Sequence, residues 1–104
     1  MGDIAISTIT LSELKYGVAK STHREKNEIA LEHFLLPLEI LPYDFHAGTV
    51  YGDIPAKLES QGLVIGPLDM LIAAHAKALS LTLVTNNVKE FNRVDGLKVE
   101  NWIS

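Results

Sequence analysis

Short apolar runs alternate with stretches of helical periodicity along this chain, and that alternation constrains the fold more than any other feature. Residues 4–6, Ile-Ala-Ile, read as a brief buried strand. Leu11, Leu14 and Val18 follow at helical spacing, with Ser7, Thr8 or Thr10 able to cap a helix that stops near Lys20 and Ser21. A second helix is expected over about residues 22–36. Its stripe is Leu31, Phe34, Leu35 and Leu38, and Pro37 ends it. Residues 39–41 read as a strand before Pro42. Asp44 then suits the N-cap of a third helix, with Ala47, Val50, Tyr51, Ile54 and Leu58 as its buried face and Gly62 as its stop. Pro55 falls inside this pattern and predicts a kink near Tyr51 or a split helix. Gly66-Pro67 opens a fourth helix, with Leu68, Leu71, Ile72, His75 and Leu79 as its core stripe. Residues 81–84 read as a strand, Thr85-Asn86-Asn87 as a turn or cap, and residues 88–91 as one helical turn. Asp95-Gly96 is a turn before a last short strand at residues 97–99, ahead of Trp102.

Strands separated by helices imply parallel βαβ units, hence an α/β domain whose central sheet is covered on both faces. Ligands in such folds sit beyond the carboxyl ends of the strands. The polar positions that fall there are the segment around Glu13, Asp69 in the first turn of the fourth helix, and the Thr85–Asn87 turn.

A length of 104 residues accommodates one domain. Hydrophobic residues make up 47% and charged residues 21%, a balance normal for a globular domain that argues against disorder. Cysteine is absent, which excludes a disulfide framework and thiolate metal sites. No apolar run approaches the ~18–20 residues that cross a bilayer, and the first residues have no signal-peptide pattern, so a cytoplasmic, non-membrane protein is expected. The formal net charge of −4 argues against broad attraction to nucleic-acid phosphates. Local basic sets remain: Lys15, Lys20, His23, Arg24 and Lys26, and more loosely Lys89, Arg93 and Lys98. Solvated helix faces account for them equally well.

Two readings stand for each chemical candidate. Asp69 lies on an alanine-rich face with Ile72, Ala73 and Ala76, where a carboxylate can meet a ligand. A first-turn acid also simply complements the helix dipole. Thr85, Asn86 and Asn87 suit a site lining or an ordinary turn, and Glu90 suits an acidic ligand or a capping-box partner reaching back. His75, inside an apolar stripe, is expected to be a satisfied core histidine. His23, His33 and His46 lack metal-ligand spacing, and there is no glycine-rich phosphate loop or nucleophile elbow.

Taken in order, three segments resemble the motifs of PIN-domain endoribonucleases of the VapC type. Ile6-Ser7-Thr8-Ile9-Thr10-Leu11-Ser12-Glu13-Leu14-Lys15-Tyr16-Gly17 is similar to their second acidic motif. Ile65-Gly66-Pro67-Leu68-Asp69-Met70-Leu71-Ile72-Ala73-Ala74-His75-Ala76 is similar to the third. Leu83-Val84-Thr85-Asn86-Asn87-Val88-Lys89-Glu90-Phe91 is similar to the last, and the ending from Val94 to Trp102 also fits. The resemblance implies a three-layer PIN-like domain over residues 1–104, a short central parallel sheet flanked by helices, N-terminally truncated. It implies the toxin of a toxin–antitoxin pair: an RNA-cutting enzyme using Mg²⁺ or Mn²⁺, with a small antitoxin as partner and a homodimer or higher oligomer as its assembly. On that carry-over Glu13 and Asp69 are acidic metal-site residues, Asn87 replaces an acid found in many relatives, Glu90 is the remaining acidic candidate, and Thr85 lines the site.

Such toxins open with a strand ending in a Leu-Asp-Thr-Asn-like sequence. Nothing here matches it, and Asp3 precedes the wrong strand. The expectation is therefore a chain that starts late, leaves a gap or unpaired edge in its sheet, binds the cation weakly and cuts RNA slowly or not at all. Clustered carboxylates without metal are further expected to show raised pKa values. The competing function is a catalytically inactive PIN-like module that docks an antitoxin or nucleic acid; an unrelated α/β domain with acidic caps is a third. The nuclease reading requires Glu13 and Asp69 to converge at one sheet edge.

Overall fold

The computed structural model describes residues 5–101; Asp3, Ile4 and Trp102 lie outside the described residues. Contacts divide the chain into two compact units, Met1–Pro42 and Tyr43–Ser104.

The first unit contains β1 (Ala5–Ser7), α1 (Thr8–Ala19), α2 (Arg24–Leu35) and β2 (Glu39–Leu41). β1 and β2 pair in parallel, Ala5 opposite Glu39 and Ser7 opposite Leu41, so the two helices form the crossover that a parallel pair requires. Of the three candidate caps, Ser7 is the one used: its Oγ accepts the Ile9 N–H at 3.0 Å. At the α1–α2 corner the Ser21 Oγ donates to the Val18 carbonyl at 2.7 Å and accepts from Asn27 Nδ2 at 3.0 Å. That corner delays the start of α2 to Arg24, two residues later than the periodicity predicts. Leu31 is buried and Leu35 and Leu38 are half-buried, but Phe34 is 55% exposed, a correction to the predicted stripe. A 3.6-residue repeat fixes which side chains share a face; it does not supply the element that covers them.

The second unit contains α3 (Phe45–Ser60), α4 (Pro67–Ala78), β3 (Thr82–Thr85), α5 (Val88–Phe91) and β4 (Lys98–Asn101). β3 and β4 pair in parallel from Thr82 opposite Lys98 to Thr85 opposite Asn101, each starting one residue later than predicted. The parallel strands thus form two two-stranded sheets, each strand having one unpaired edge among the described residues. The core joins Ile54 and Leu58 of α3 to Ile65, Ala73, Ala74, Phe91 and Val94. Ala73 and Ala74 are fully buried, and their small size lets α3 and α4 approach closely. Burying each large apolar side chain here contributes about 1.5–3 kcal/mol.

Helix ends explain the remaining boundaries. The Asp44 carboxylate accepts the Ala47 N–H at 3.0 Å and starts α3. Pro55 does not split this helix, which is continuous from Phe45 to Ser60. Proline removes a single N–H, and burial of Ala47, Ile54 and Leu58 on both sides of it holds the helix together. α3 closes with Gly62 at φ +70°, where Gly62 N–H donates to the Glu59 carbonyl and Leu63 N–H to that of Leu58. α4 closes by the same pattern, but its left-handed residue is Ser80 at φ +57°, with Ser80 N–H on Lys77 and Leu81 N–H on Ala76. Leu68 and Leu79 of the predicted α4 stripe are 47% and 42% exposed, a second correction; Ala73, Ala74 and His75 are the buried face. His75 stacks edge-on against Tyr43 with ring centroids 5.5 Å apart, as a core histidine. No helix among the described residues is long and apolar enough to cross a membrane.

Candidate active site

α4 starts where an N–H acceptor is scarce. Gly66, its N-cap, has no side chain to cap with, and Pro67 at the first helical position has no N–H. The acceptor arrives from another element: Glu90 Oε1 of α5 takes the Gly66 N–H at 3.0 Å, across 24 residues of sequence. Glu90 Oε2 accepts from the Asn87 side-chain amide. The backbone N–H of Asn87 is meanwhile held by Thr85 Oγ1 at 3.0 Å. The predicted local capping box, with Glu90 reaching back to its own helix start, is therefore not formed. Its two halves are divided between Thr85 and the remote Gly66, because the turn hydroxyl already satisfies the donor that Glu90 would have taken.

Asp69, in the first turn of α4, faces the same point. A Cβ added at Gly66 would lie 3.8 Å from Asp69 Oδ2 and 4.0 Å from Glu90 Oε1. The two carboxyl groups therefore approach one backbone position from different elements. The Glu90 carboxyl is held below the usual carboxylate range, chiefly by the Gly66 N–H. The Asn87 amide, the Asp69 carboxyl and the Arg93 guanidinium add to this, and burial opposes it. The expected upward shift of crowded carboxylates is thus reversed at Glu90, since directed N–H donors outweigh desolvation.

Asp69, Asn87 and Glu90 form one cluster within the second unit, and Thr85, at the carboxyl end of β3, braces the turn that carries it. This is where an α/β fold presents a ligand site. Glu13 belongs to the first unit, exposed on α1. Two contributors were not singled out from sequence. The sequence marks Gly66 only as punctuation before Pro67. Arg93, whose Nη1 donates to the Val64 carbonyl, was read only as part of a loose basic set. The Glu90–Arg93 spacing, one helical turn, was the available signal for the second.

An open cleft of about 530 Å³, bordered by Asp53, Lys57, Lys77, Arg93 and Asp95, lies apart from the acidic pair. The Lys57–Asp95 ion pair, 2.8 Å long, lies in its wall. Among the described residues no group of three or more His, Cys, Asp or Glu side chains is arranged to hold a metal ion. Asp69, Glu90 and the Asn87 amide oxygen nevertheless offer hard oxygen donors of the kind Mg²⁺ or Mn²⁺ takes, and Mg²⁺ commonly uses only one or two carboxylates and water for the rest.

Comparison with known proteins gives the family of the chain. A family model described as PIN domain matches residues 1–97. Ribonuclease VapC2 of Rickettsia felis is 50% identical over 99 residues, covering 95% of this chain and 74% of that protein. The tRNA(fMet)-specific endonuclease VapC of Shigella flexneri is 46% identical over 101 residues, covering 97% and 76%. Among solved structures, VapBC2 from Rickettsia felis bound to a promoter DNA fragment superposes with a TM-score of 0.93 at 50% identity, covering 95% of this chain and 74% of that one. FitAcB from Neisseria gonorrhoeae gives 0.86 at 32% identity, covering 97% and 76%. The chain spans about three quarters of the length of these curated relatives. The chain belongs to the PIN domain family, with VapC ribonucleases among its homologues.

Proposed function

We propose that the chain is a metal-dependent endoribonuclease, the toxin of a toxin–antitoxin pair acting in the cytoplasm, with Mg²⁺ or Mn²⁺ as its cofactor. The observation that carries this reading is the meeting of the Asp69 and Glu90 carboxyl groups around the Gly66 N–H, in a chain whose relatives carry the names ribonuclease and endonuclease. Asp69, Glu90 and Asn87 would hold the cation. When bound, it supplies a Lewis acid and an acidified water for phosphodiester hydrolysis. Glu90 stays ionised at neutral pH because its donors hold its pKa low, and the same donors fix its orientation. Thr85 keeps the Asn87 backbone in place, and Glu13 stays a metal-site candidate by its motif.

The partner in this reading is a small antitoxin. The net charge of −4 suits a basic tail, and relatives have been solved as VapBC pairs. Self-association as a dimer or higher oligomer is supported by the exposure of Ile29, Phe34 and Leu36, at 59%, 55% and 80%. Light scattering tests it, and a monodisperse monomer refutes it.

A second reading, a PIN module that binds without cutting, is favoured by Asn87 standing where many relatives have an acid. One experiment separates them: end-labelled RNA is incubated with the chain in Mg²⁺, in Mn²⁺ and in EDTA. Cleavage that requires the cation and disappears in Asp69→Asn supports the enzyme. Binding of RNA or antitoxin without cleavage in any cation supports the module.

A further inference from the structure

Tyr16 is an aromatic side chain of the first unit whose exposure packing does not explain. It is 67% exposed, although an aromatic ring gains strongly from burial. Lys20 Nζ lies 4.9 Å from its ring centroid, a cation–π contact. Tyr16 follows Glu13 by three residues and precedes Lys20 by four, so all three line one side of α1, and all three are exposed. At the next residue, a Cβ built on Gly17 meets nothing within 4 Å, so no other element covers that point.

We propose that Tyr16 is a stacking platform for one unpaired base of single-stranded RNA, with Lys20 taking a phosphate of the same strand. This rests on the ribonuclease reading and adds a substrate contact to it. Single-stranded RNA is gripped by bases splayed onto aromatic faces while cations hold the backbone. Such a contact matters more in a chain of net charge −4, where general attraction to phosphate is weak and stacking supplies affinity without charge. The face also has a direction. Lys20, on the C-terminal side of the ring, attracts phosphate. The strand backbone is thereby steered to the Lys20 side with its base on Tyr16.

The test uses a short single-stranded RNA carrying one 2-aminopurine, titrated with the full chain in Ca²⁺ so that binding is read without turnover. Quenching of the 2-aminopurine by wild type is expected. Tyr16→Ala is expected to weaken binding about 5- to 150-fold and to abolish the quench, while Tyr16→Phe keeps both. Lys20→Gln is expected to lower the slope of log affinity against log salt by about 0.7. Circular dichroism checks that each variant is folded. RNA affinity and quench unchanged in a folded Tyr16→Ala overturn the platform. Loss of antitoxin binding in that variant with RNA affinity intact overturns it in favour of a protein contact. A wild-type chain that binds no RNA sinks the ribonuclease reading itself, which distinguishes the two failures.

Discussion

Replacing Glu90 by alanine removes the acceptor that α4 borrows from α5, and its cost can be worked from opposing terms. The lost bond joins a carboxylate to the Gly66 N–H at 3.0 Å, and hydrogen bonds to charged groups contribute about 1.5–3 kcal/mol when buried. Glu90 is half-buried, so the lower end applies, while its charge at the α4 N-terminus adds about 0.3–1 kcal/mol. Against this, alanine removes a carboxylate that neighbours Asp69, and close like charges repel by about 1 kcal/mol in water. The net expectation is a loss of about 1 kcal/mol, a fall in Tm of about 4–8 °C for a domain of this size. The effect has a pH signature. Glu90 has a folded-state pKa below its unfolded value, so its contribution is complete above the unfolded carboxylate pKa of about 4.3 and disappears as pH falls through the folded value. Thermal melts followed by circular dichroism in EDTA, from pH 3 to pH 7, should show a gap between wild type and Glu90→Ala that is wide at neutral pH and closes in acid. Glu90→Gln, which keeps an oxygen acceptor without the charge, should fall between them. A gap of equal size at pH 3 and pH 7 would refute the charge-assisted bond. An alanine variant more stable than wild type at pH 7 would show that repulsion from Asp69 dominates the cluster.

Ser80→Gly should raise Tm by about 2–8 °C, since αL strain of about 1–2 kcal/mol in a non-glycine residue exceeds the added entropy of glycine; Gly62→Ala, at the equivalent position of α3, should lower it in the same melts. His75→Ala should cost about 2–4 kcal/mol in urea unfolding, because it empties a site 3% exposed and removes the ring packed against Tyr43. Titrating Mn²⁺ into wild type should raise Tm as RT ln(1 + [L]/Kd), and Asp69→Asn should abolish the rise; an equal rise in both would remove Asp69 from the cation site.

Local chemistry accounts for what could be read in advance. Asp44 and Ser7 act as N-caps, Gly62 ends α3 and Pro67 opens α4, because each of these signals concerns neighbours within one helical turn. The core histidine was legible for the same reason: His75 lies in a continuous apolar stripe, and burial there requires satisfaction. Residues 39–41 and 88–91, read as a strand and a helical turn, form those elements with the same limits.

The sequence by itself determined which residue types recur at which spacing, and hence the order of elements, the parallel strand pairs and the candidates Asp69, Thr85, Asn87 and Glu90. Only the tertiary structure decided what those candidates touch. Glu90 had a capping partner three residues away and took one 24 residues away, because packing brought the α4 terminus, with no cap of its own, to a carboxylate whose local donor Thr85 already held. Exposure at Phe34, Leu68 and Leu79 was decided at the same level. A periodic pattern specifies a face, and only the neighbouring elements settle whether that face is covered.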